Sequence, residues 1–392
     1  MNITVIKDFK KRVTESAALD FHGLEIGEAY EICEGEMLIS FYERELEDFF
    51  GVCRFQEDDG FSLYSCQEIN GSFFATYYRE NELVHVYWIE CEQELNVVCS
   101  VTGGGALPFC EMAEGGEYAP SVTQLWSDKA NGMGYVVQLS DGSFIIYDGG
   151  YNHHAEHLFD TLAQMSGTHK DIVIRAWIIT HSHGDHYPCF VGFADRFAHR
   201  VRLETLMISP VNEGDAADKY LNVNVHEDLK KFQGARLLYV HTGMLFAFGD
   251  VKLEILFTAD ELYINEAPRI TGINGQKDLN CSSIISRVLT QNKSCIFLGD
   301  AYPDEALRTV IYYGRYLESD MCQMSHHGLE KFPLIGYRHI NASVLFYPCA
   351  QSTYTRDGKE LGRYDNVRRA LKSSKYTKEI IVHDKTNETR YL

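Results

Sequence analysis

The stretch Ile172-Val173-Ile174-Arg175-Ala176-Trp177-Ile178-Ile179-Thr180 runs directly into His181-Ser182-His183-Gly184-Asp185-His186. Its first part is the β-branched, apolar run of a buried strand; its second places three histidines and an aspartate within six residues. Side chains two apart in extended chain point the same way, so His181 and His183 form half of one metal site. Asp185 and His186, from the following turn, face a second ion. Imidazole and carboxylate are ligands that zinc, iron and manganese accept. Ser182 and Gly184 are small, which leaves the loop room to fold round metal. A surface histidine cluster is the competing explanation, and the preceding strand argues against it.

Working outward, Pro188 opens a helix through residue 197, because proline suits the first helical position. Upstream, strands at 135–139 and 144–147 flank the turn Ser140-Asp141-Gly142 and end at Asp148-Gly149-Gly150. A helix over 155–165 is stopped at Gly167. Downstream come a strand at 205–209, a helix near 227–232, and strands at 244–248 and 251–257. A hairpin of 282–289 with 294–298 ends at Gly299-Asp300, and a helix follows over 303–317. Strands interleaved with helices predict helices packed outside sheets.

Before residue 100 the pattern is different. Short runs such as 37–42, 72–78 and 84–89 read as antiparallel strands, with turns at Asp58-Asp59-Gly60, Asn70-Gly71 and Glu80-Asn81. No catalytic constellation appears there. Thr102-Gly103-Gly104-Gly105, Pro108, Gly115-Gly116 and Pro120 mark a break. The expected division is a β-rich accessory domain over 1–105, a linker over 106–120, and the domain carrying the histidine run over 121–392.

The composition is that of a globular protein, with 45% hydrophobic and 12% aromatic residues in 392. No apolar run has the length of a membrane span, and Met1 to Lys11 carries charges in place of a signal peptide's apolar stretch, so a cytoplasmic protein is expected. Eleven scattered cysteines, an odd number without Cys-x-x-Cys pairs, fit free thiols. A net charge of -20 disfavours generic nucleic-acid binding. Between Arg356 and Lys378 the tail is nevertheless basic, through Lys359, Arg363, Arg368, Arg369, Lys372 and Lys375. It reads as a solvated helix face, with a phosphate-recruiting patch as the alternative.

The motif His-x-His-x-Asp-His after a strand resembles the second motif of the metallo-β-lactamase superfamily, which implies an α+β fold, an αββα sandwich, here preceded by the small β-rich domain. In that family an aspartate at an earlier strand end orients the metal loop, and Asp148 matches it. A later aspartate bridges both metals, and Asp300 after Ile296-Phe297-Leu298-Gly299 matches. A final histidine is matched by Met324-Ser325-His326-His327-Gly328, without indicating which of His326 and His327 binds metal. Asp278-Leu279-Asn280-Cys281-Ser282-Ser283, taken with these motifs, is similar to the β-lactamase-like domain of the competence protein ComEC and to phosphorylcholine esterase. The resemblance covers about residues 120 to 350, and the membrane channel that accompanies ComEC is absent. Many superfamily members add a histidine between these motifs, for which His199, His226 and His241 are the candidates, and the ComEC-like branch commonly lacks it. His241 precedes an outer hairpin, a poor place for a ligand.

The resemblance implies two divalent ions, zinc first and manganese or iron as alternatives, and hydrolysis by a metal-bound hydroxide. Asp300 is the expected bridge, Asp185 a ligand and proton acceptor, and a tyrosine, His326 or His327 the proton donor to the leaving group. The expected substrate is a small-molecule or nucleotide phosphodiester. Alternatives are an acyl substrate (lactam, lactone or thioester), a non-catalytic metal-binding protein, and a nuclease, which the basic tail favours and the overall charge disfavours. No membrane partner is expected, and self-association is left open. His153, His154 and His157 read as a solvated loop and helix start, and Cys189 as a buried thiol.

Overall fold

The computed structural model describes residues 10–15, 25–109, 115–129, 131–167, 171–211, 225–263, 278–329, 332–355, 365–383 and 385–392. Residues 110–114 of the expected linker, and Arg356, Lys359 and Arg363 of the basic tail, lie outside them.

Strands β1 (Glu28–Cys33), β2 (Glu36–Phe41), β3 (Ser62–Ile69), β4 (Ser72–Arg79), β5 (Glu82–Ile89) and β6 (Glu94–Ser100) form an antiparallel sheet in the order β1-β2-β6-β5-β4-β3. Asn70 and Gly71 both adopt positive φ, 51° and 84°, as a two-residue hairpin turn demands.

Two seven-stranded sheets follow. One contains β7 (Ser121–Gln124), β8 (Gly134–Gln138), β9 (Phe144–Asp148), β10 (Ile172–Ile179), β11 (Val201–Ile208) and β12 (Arg236–Tyr239), and the last strand, β20 (Glu388–Tyr391), pairs with β7 at its edge. The other runs β13 (Leu245–Phe248), β14 (Val251–Phe257), β15 (Ile285–Leu289), β16 (Ser294–Phe297), β17 (Met321–Gln323), β18 (Val344–Ala350) and β19 (Glu379–His383). They pack face to face: the Tyr147 ring lies on Phe297 at 3.9 Å, and Tyr135 meets Phe297 and Phe346 edge-on.

Helices cover the outer faces. Ala155–Ser166 and Pro188–Phe197 bury Leu158, Leu162, Phe190 and Phe193 with Trp177 of β10. Pro303–Tyr313 and Leu334–Ile340 lie outside the other sheet. This is an αββα sandwich, preceded by a β-rich region. Within the sheets β9 to β12 run parallel, as do β16 to β19, so several strands end together at one edge.

The amino-terminal sheet is buried on both faces. On β5, Val84, Val86 and Trp88 join one core with Phe49, Phe50 and Cys53 of the helix Leu46–Asp58. Tyr87 and Ile89, of opposite parity, join Tyr312 and Tyr313 of the sandwich. Hydrogen bonds cross the same seam: Gln67 Nε2 to the Gly243 carbonyl at 2.7 Å and Asn70 Nδ2 to that of Tyr312 at 2.9 Å. The helix Leu46–Asp58 is absent from the sequence reading, which saw only strands there.

The described cysteines are free thiols, and no helix among the described residues is long and apolar enough to cross a membrane.

Candidate metal centre

The site forms where the parallel strands of both sheets end. β9 ends at Asp148, whose φ of 51° turns its carboxylate inward. Its Oδ1 accepts from the Thr180 backbone N–H, and its Oδ2 from the Thr180 hydroxyl, both at 2.8 Å. Oδ2 also accepts from His186 Nδ1 at 2.8 Å. That bond places the His186 proton on Nδ1 and leaves Nε2 as a lone pair directed into the site. Met133 N–H holds the Asp185 carbonyl at 3.0 Å from the other side of the loop.

The second sheet supplies the opposing wall. Ile284 N–H donates to the Thr180 carbonyl at 3.1 Å, stitching the two sheets together beside the loop. Asp300 follows Gly299, whose φ is +52° and whose missing Cβ would lie 3.0 Å from Ser283 Cβ and 3.1 Å from Thr180 Cβ. A side chain at 299 would therefore push the two walls apart. Ser283 Oγ accepts from the Asp300 N–H at 3.0 Å.

His326 and His327 both occupy the left-handed region, at φ 49° and 57°. Non-glycine residues held there cost about 1–3 kcal/mol each, a cost that concentrates at functional sites. His327 Nδ1 donates to the Pro348 carbonyl at 2.9 Å, which leaves Nε2 for the site. That nitrogen stands 3.1 Å from Asp185 Oδ2 and 3.6 Å from Asp300 Oδ2. His326 Nε2 stands 3.7 Å from Asp300 Oδ2, beside the Tyr302 ring.

At this edge two three-residue groups come within metal-holding distance, His181, His186 and Asp300, and Asp185, His186 and His327; a third, Asp128, His153 and His154, lies apart from them. The first two share His186. His183 belongs to neither; its Nδ1 donates to Asn280 Oδ1 at 2.7 Å and lies 3.0 Å from His181 Nε2.

The donors fit divalent metal. His186 Nε2 and Asp300 Oδ1 are buried, with no hydrogen-bond partner among the described residues. Unpaired polar atoms in a dry interior are costly, and here they converge with carboxylate and imidazole lone pairs. Burial pushes the His186 imidazolium down, but Asp300 and Asp148 outweigh it and hold it well above the ordinary histidine value, so without a cation in the site a proton occupies Nε2, and a divalent ion beside the two carboxylates would take that proton's place. Burial likewise pushes Asp300 up, and His186, His327 and His326 hold it well below the usual carboxylate range. Burial and the neighbouring His186 keep His181 neutral, the form in which imidazole binds metal.

Other candidates lie elsewhere. His199 and His226 are exposed on the outside of the first seven-stranded sheet. His241 is buried under the amino-terminal sheet, its Nδ1 2.9 Å from Asp260 Oδ2 and its Nε2 3.5 Å from Glu36 Oε2. His157 bonds Asn387 at 2.8 Å. His153 and His154 reach Asp128 Oδ1 at 2.8 and 2.9 Å. His154 Nδ1 accepts from the Tyr151 N–H at 3.2 Å, so its proton sits on Nε2 and the ring has no lone pair for metal. Cys189 is buried behind the loop, its N–H on the Gly150 carbonyl at 2.9 Å, and burial pushes its thiol up.

Two residues escaped the sequence reading. Asn131 Nδ2 donates to Asp185 Oδ2 while its Oδ1 accepts from the Tyr151 hydroxyl at 3.1 Å, tying the carboxylate in place. Asn280, quoted there only for its resemblance, holds His183 and also donates to the Tyr302 hydroxyl at 2.9 Å. Asn131 also forms an isolated bridge with Cys349, a tertiary contact that no local sequence pattern signals.

No protein-family model matches this chain, and no curated protein does. Among solved structures the chain is similar to YhfI from Bacillus subtilis, a metallo-β-lactamase fold protein, at 12% identity and TM-score 0.44, over 70% of this chain and all of that one. It is also similar to CmlA, a diiron β-hydroxylase from Streptomyces venezuelae, at 11% identity and TM-score 0.42; it covers 70% of this chain but only 54% of CmlA. Zn(2+)-bound PqqB from Methylobacterium extorquens follows at 10% identity and TM-score 0.31, over 49% of this chain and 59% of that one. These likenesses are remote, and the fold class stands on the chain's own sheets.

Proposed function

We propose that this chain is a metal-dependent hydrolase, acting on a phosphodiester of a small molecule or nucleotide. One observation carries the reading: donors from three separated segments, His181 to His186, Asp300 and His327, converge at the strand ends with buried lone pairs unpaired. The residues that would hold two divalent ions, zinc in the first place, are His181, His183, Asp185, His186, Asp300 and His327, and the two carboxylate oxygens of Asp300 would suit it to serve both. Bound divalent metal acidifies water and polarises a phosphoryl oxygen.

The chain's own groups do the rest. Asp148 fixes the His186 tautomer and ring plane, and Pro348 does the same for His327. Asn131 holds Asp185 by one oxygen, leaving the other for a proton or a ligand. His326, partly exposed beside Tyr302, is placed to hand a proton to the leaving group. The Asp278 to Ser283 segment, which resembles that of phosphorylcholine esterase, favours a phosphodiester over an acyl substrate; its Asn280 touches His183.

Hydrolysis of bis(p-nitrophenyl) phosphate by protein of measured metal content, compared with Asp185→Ala and Asp300→Ala, tests this. Metal-dependent turnover lost in both variants is expected. Metal-loaded protein that leaves this diester intact but cleaves a lactam or thioester would overturn the substrate assignment.

A further inference from the structure

On the Asp185 side of the metal groups, side chains of two loops join in one chain of hydrogen bonds. Asn131 and Asp128 come from the loop between β7 and β8, and Tyr151, His153 and His154 from the turn after β9. The Asn131 amide lies between two partners: Nδ2 donates to Asp185 Oδ2, and Oδ1 accepts from the Tyr151 hydroxyl at 3.1 Å. An amide fits such a place in either of two orientations, with oxygen and nitrogen exchanged. Turned over, this one would set its carbonyl oxygen against a carboxylate oxygen. With the Tyr151 proton on Oδ1, Nδ2 is the atom left to face Asp185. A neutral amide, unlike a guanidinium, orients the carboxylate without cancelling the charge that a divalent cation needs.

Tyr151 is itself held from behind. Its backbone N–H donates to His154 Nδ1 at 3.2 Å, and its ring stacks on His153 at 6.0 Å and meets His154 edge-on at 5.5 Å. Nε2 of His153 and Nε2 of His154 both donate to one atom, Asp128 Oδ1, at 2.8 and 2.9 Å. The bonds from His153 and His154 lower the Asp128 carboxyl to about 2, so it stays an acceptor at neutral pH. Gly150 lets the turn close on this arrangement: its φ is +85°, and a Cβ there would sit 2.5 Å from His154 Nδ1. Because the His154 proton sits on Nε2, the group Asp128, His153 and His154 is a hydrogen-bonded brace and not a third ion site.

We propose that Tyr151 is a positioning residue for the metal centre: its hydroxyl fixes the Asn131 amide so that Nδ2 faces Asp185, and Asp128 with His153 and His154 holds Tyr151 where it can do so. The proposal rests on the metal-centre part of the functional reading and on none of the substrate assignment. It gives the histidines after β9 a task at the centre without making them ligands. Tyr151 touches no reacting atom in this account and acts through Asn131 alone.

The test is a double-mutant cycle on the full-length protein, read as zinc affinity in competition with a chelator. Tyr151→Phe keeps the ring and removes only the hydroxyl. It should weaken zinc binding about threefold in the wild-type background and leave it unchanged in Asn131→Ala, with the melting temperature of the metal-free protein unaltered. Asp128→Asn, which loosens the brace, should give a smaller loss that also vanishes in Asn131→Ala. A purely structural role would move the melting temperature and leave the zinc affinities alone. Equal losses from Tyr151→Phe in both backgrounds would show it acting by another route and overturn the proposal, as would an unchanged affinity in the wild-type background. Failure of the hydrolase reading shows separately, as zinc-loaded protein without turnover, and the cycle is read in the same way in that case. A wild type that binds no zinc overturns the metal centre and this proposal together.

Discussion

His186 and His241 are built alike and used differently. Each is fully buried, each has an aspartate on Nδ1, Asp148 at 2.8 Å and Asp260 at 2.9 Å, and each turns Nε2 toward another carboxylate, Asp300 at 3.4 Å and Glu36 at 3.5 Å. What surrounds the outer nitrogen separates them. Around His186 stand His181, His327 and Asp185, further donors of metal type, at a strand-end edge. Around His241 stand His85 and the Ser100–Glu36 pair, sealed between the amino-terminal sheet and β13–β14. The same Asp–His–carboxylate unit thus reads as a metal ligand in one place and as an interfacial ion pair in the other. The lesson is that the count of converging lone pairs, and not the histidine's immediate partner, marks the functional site.

The comparison can be broken by substitution. The largest effect should come from Asp300→Ala, which removes a ligand from the metal groups: diester hydrolysis by metal-loaded protein falls by about a thousandfold or more, while the melting temperature holds. Asp260→Ala should do the reverse. It strands a buried imidazolium and destabilises the fold by about 3–5 kcal/mol in denaturant titration, while the folded fraction keeps its metal. Unchanged stability in Asp260→Ala would make the His241 pair inconsequential. Asp148→Asn, which alters the partner on His186 Nδ1 together with an acceptor for Thr180, should weaken metal affinity by about 10- to 100-fold in competition with a chelator.

A pH series sharpens the contrast at the seam. Burial pushes His241 down, but Asp260 and Glu36 outweigh it and carry it to about 10, and burial of Glu261 raises it to about 8. Both folded values lie above the unfolded ones, so the folded chain holds more protons, and the stability they contribute is lost as pH rises toward 10. The melting temperature at pH 10 should therefore fall several degrees below that at pH 6.5, and His241→Gln should flatten the upper part of the curve. A pH-independent melting temperature over that range would contradict the assignment. The smallest effect belongs to Asn131→Ala, which frees one Asp185 oxygen and should cost less than about tenfold in metal affinity.

How far the sequence could be read follows from these same residues. The run His181 to His186 was legible because its donors are contiguous and follow a buried strand. Asp148 and Asp300 were legible because each ends such a strand. Which of His326 and His327 joins the converging donors was not, since it depends on two left-handed residues in succession and on a bond to Pro348, far along the chain. Asn131 gave no signal, and Asn280 only the resemblance of its segment, since an amide holding a carboxylate or an imidazole follows no spacing rule. The His241 pair was hidden because Glu36 reaches it from β2 of the amino-terminal sheet and Asp260 from the short helix after β14. The helix Leu46–Asp58 was missed because phenylalanines, a valine and Gly51 are weak helix formers; only the buried spacing of Phe49, Phe50, Cys53 and Gln56 betrays its face.

The most direct measurement is the metal content of the purified protein and of Asp300→Ala after dialysis against zinc. The account predicts two ions per wild-type chain and a clear deficit in the variant, with both proteins folded. A wild type that retains no metal, or a variant that retains as much as the wild type, would contradict it.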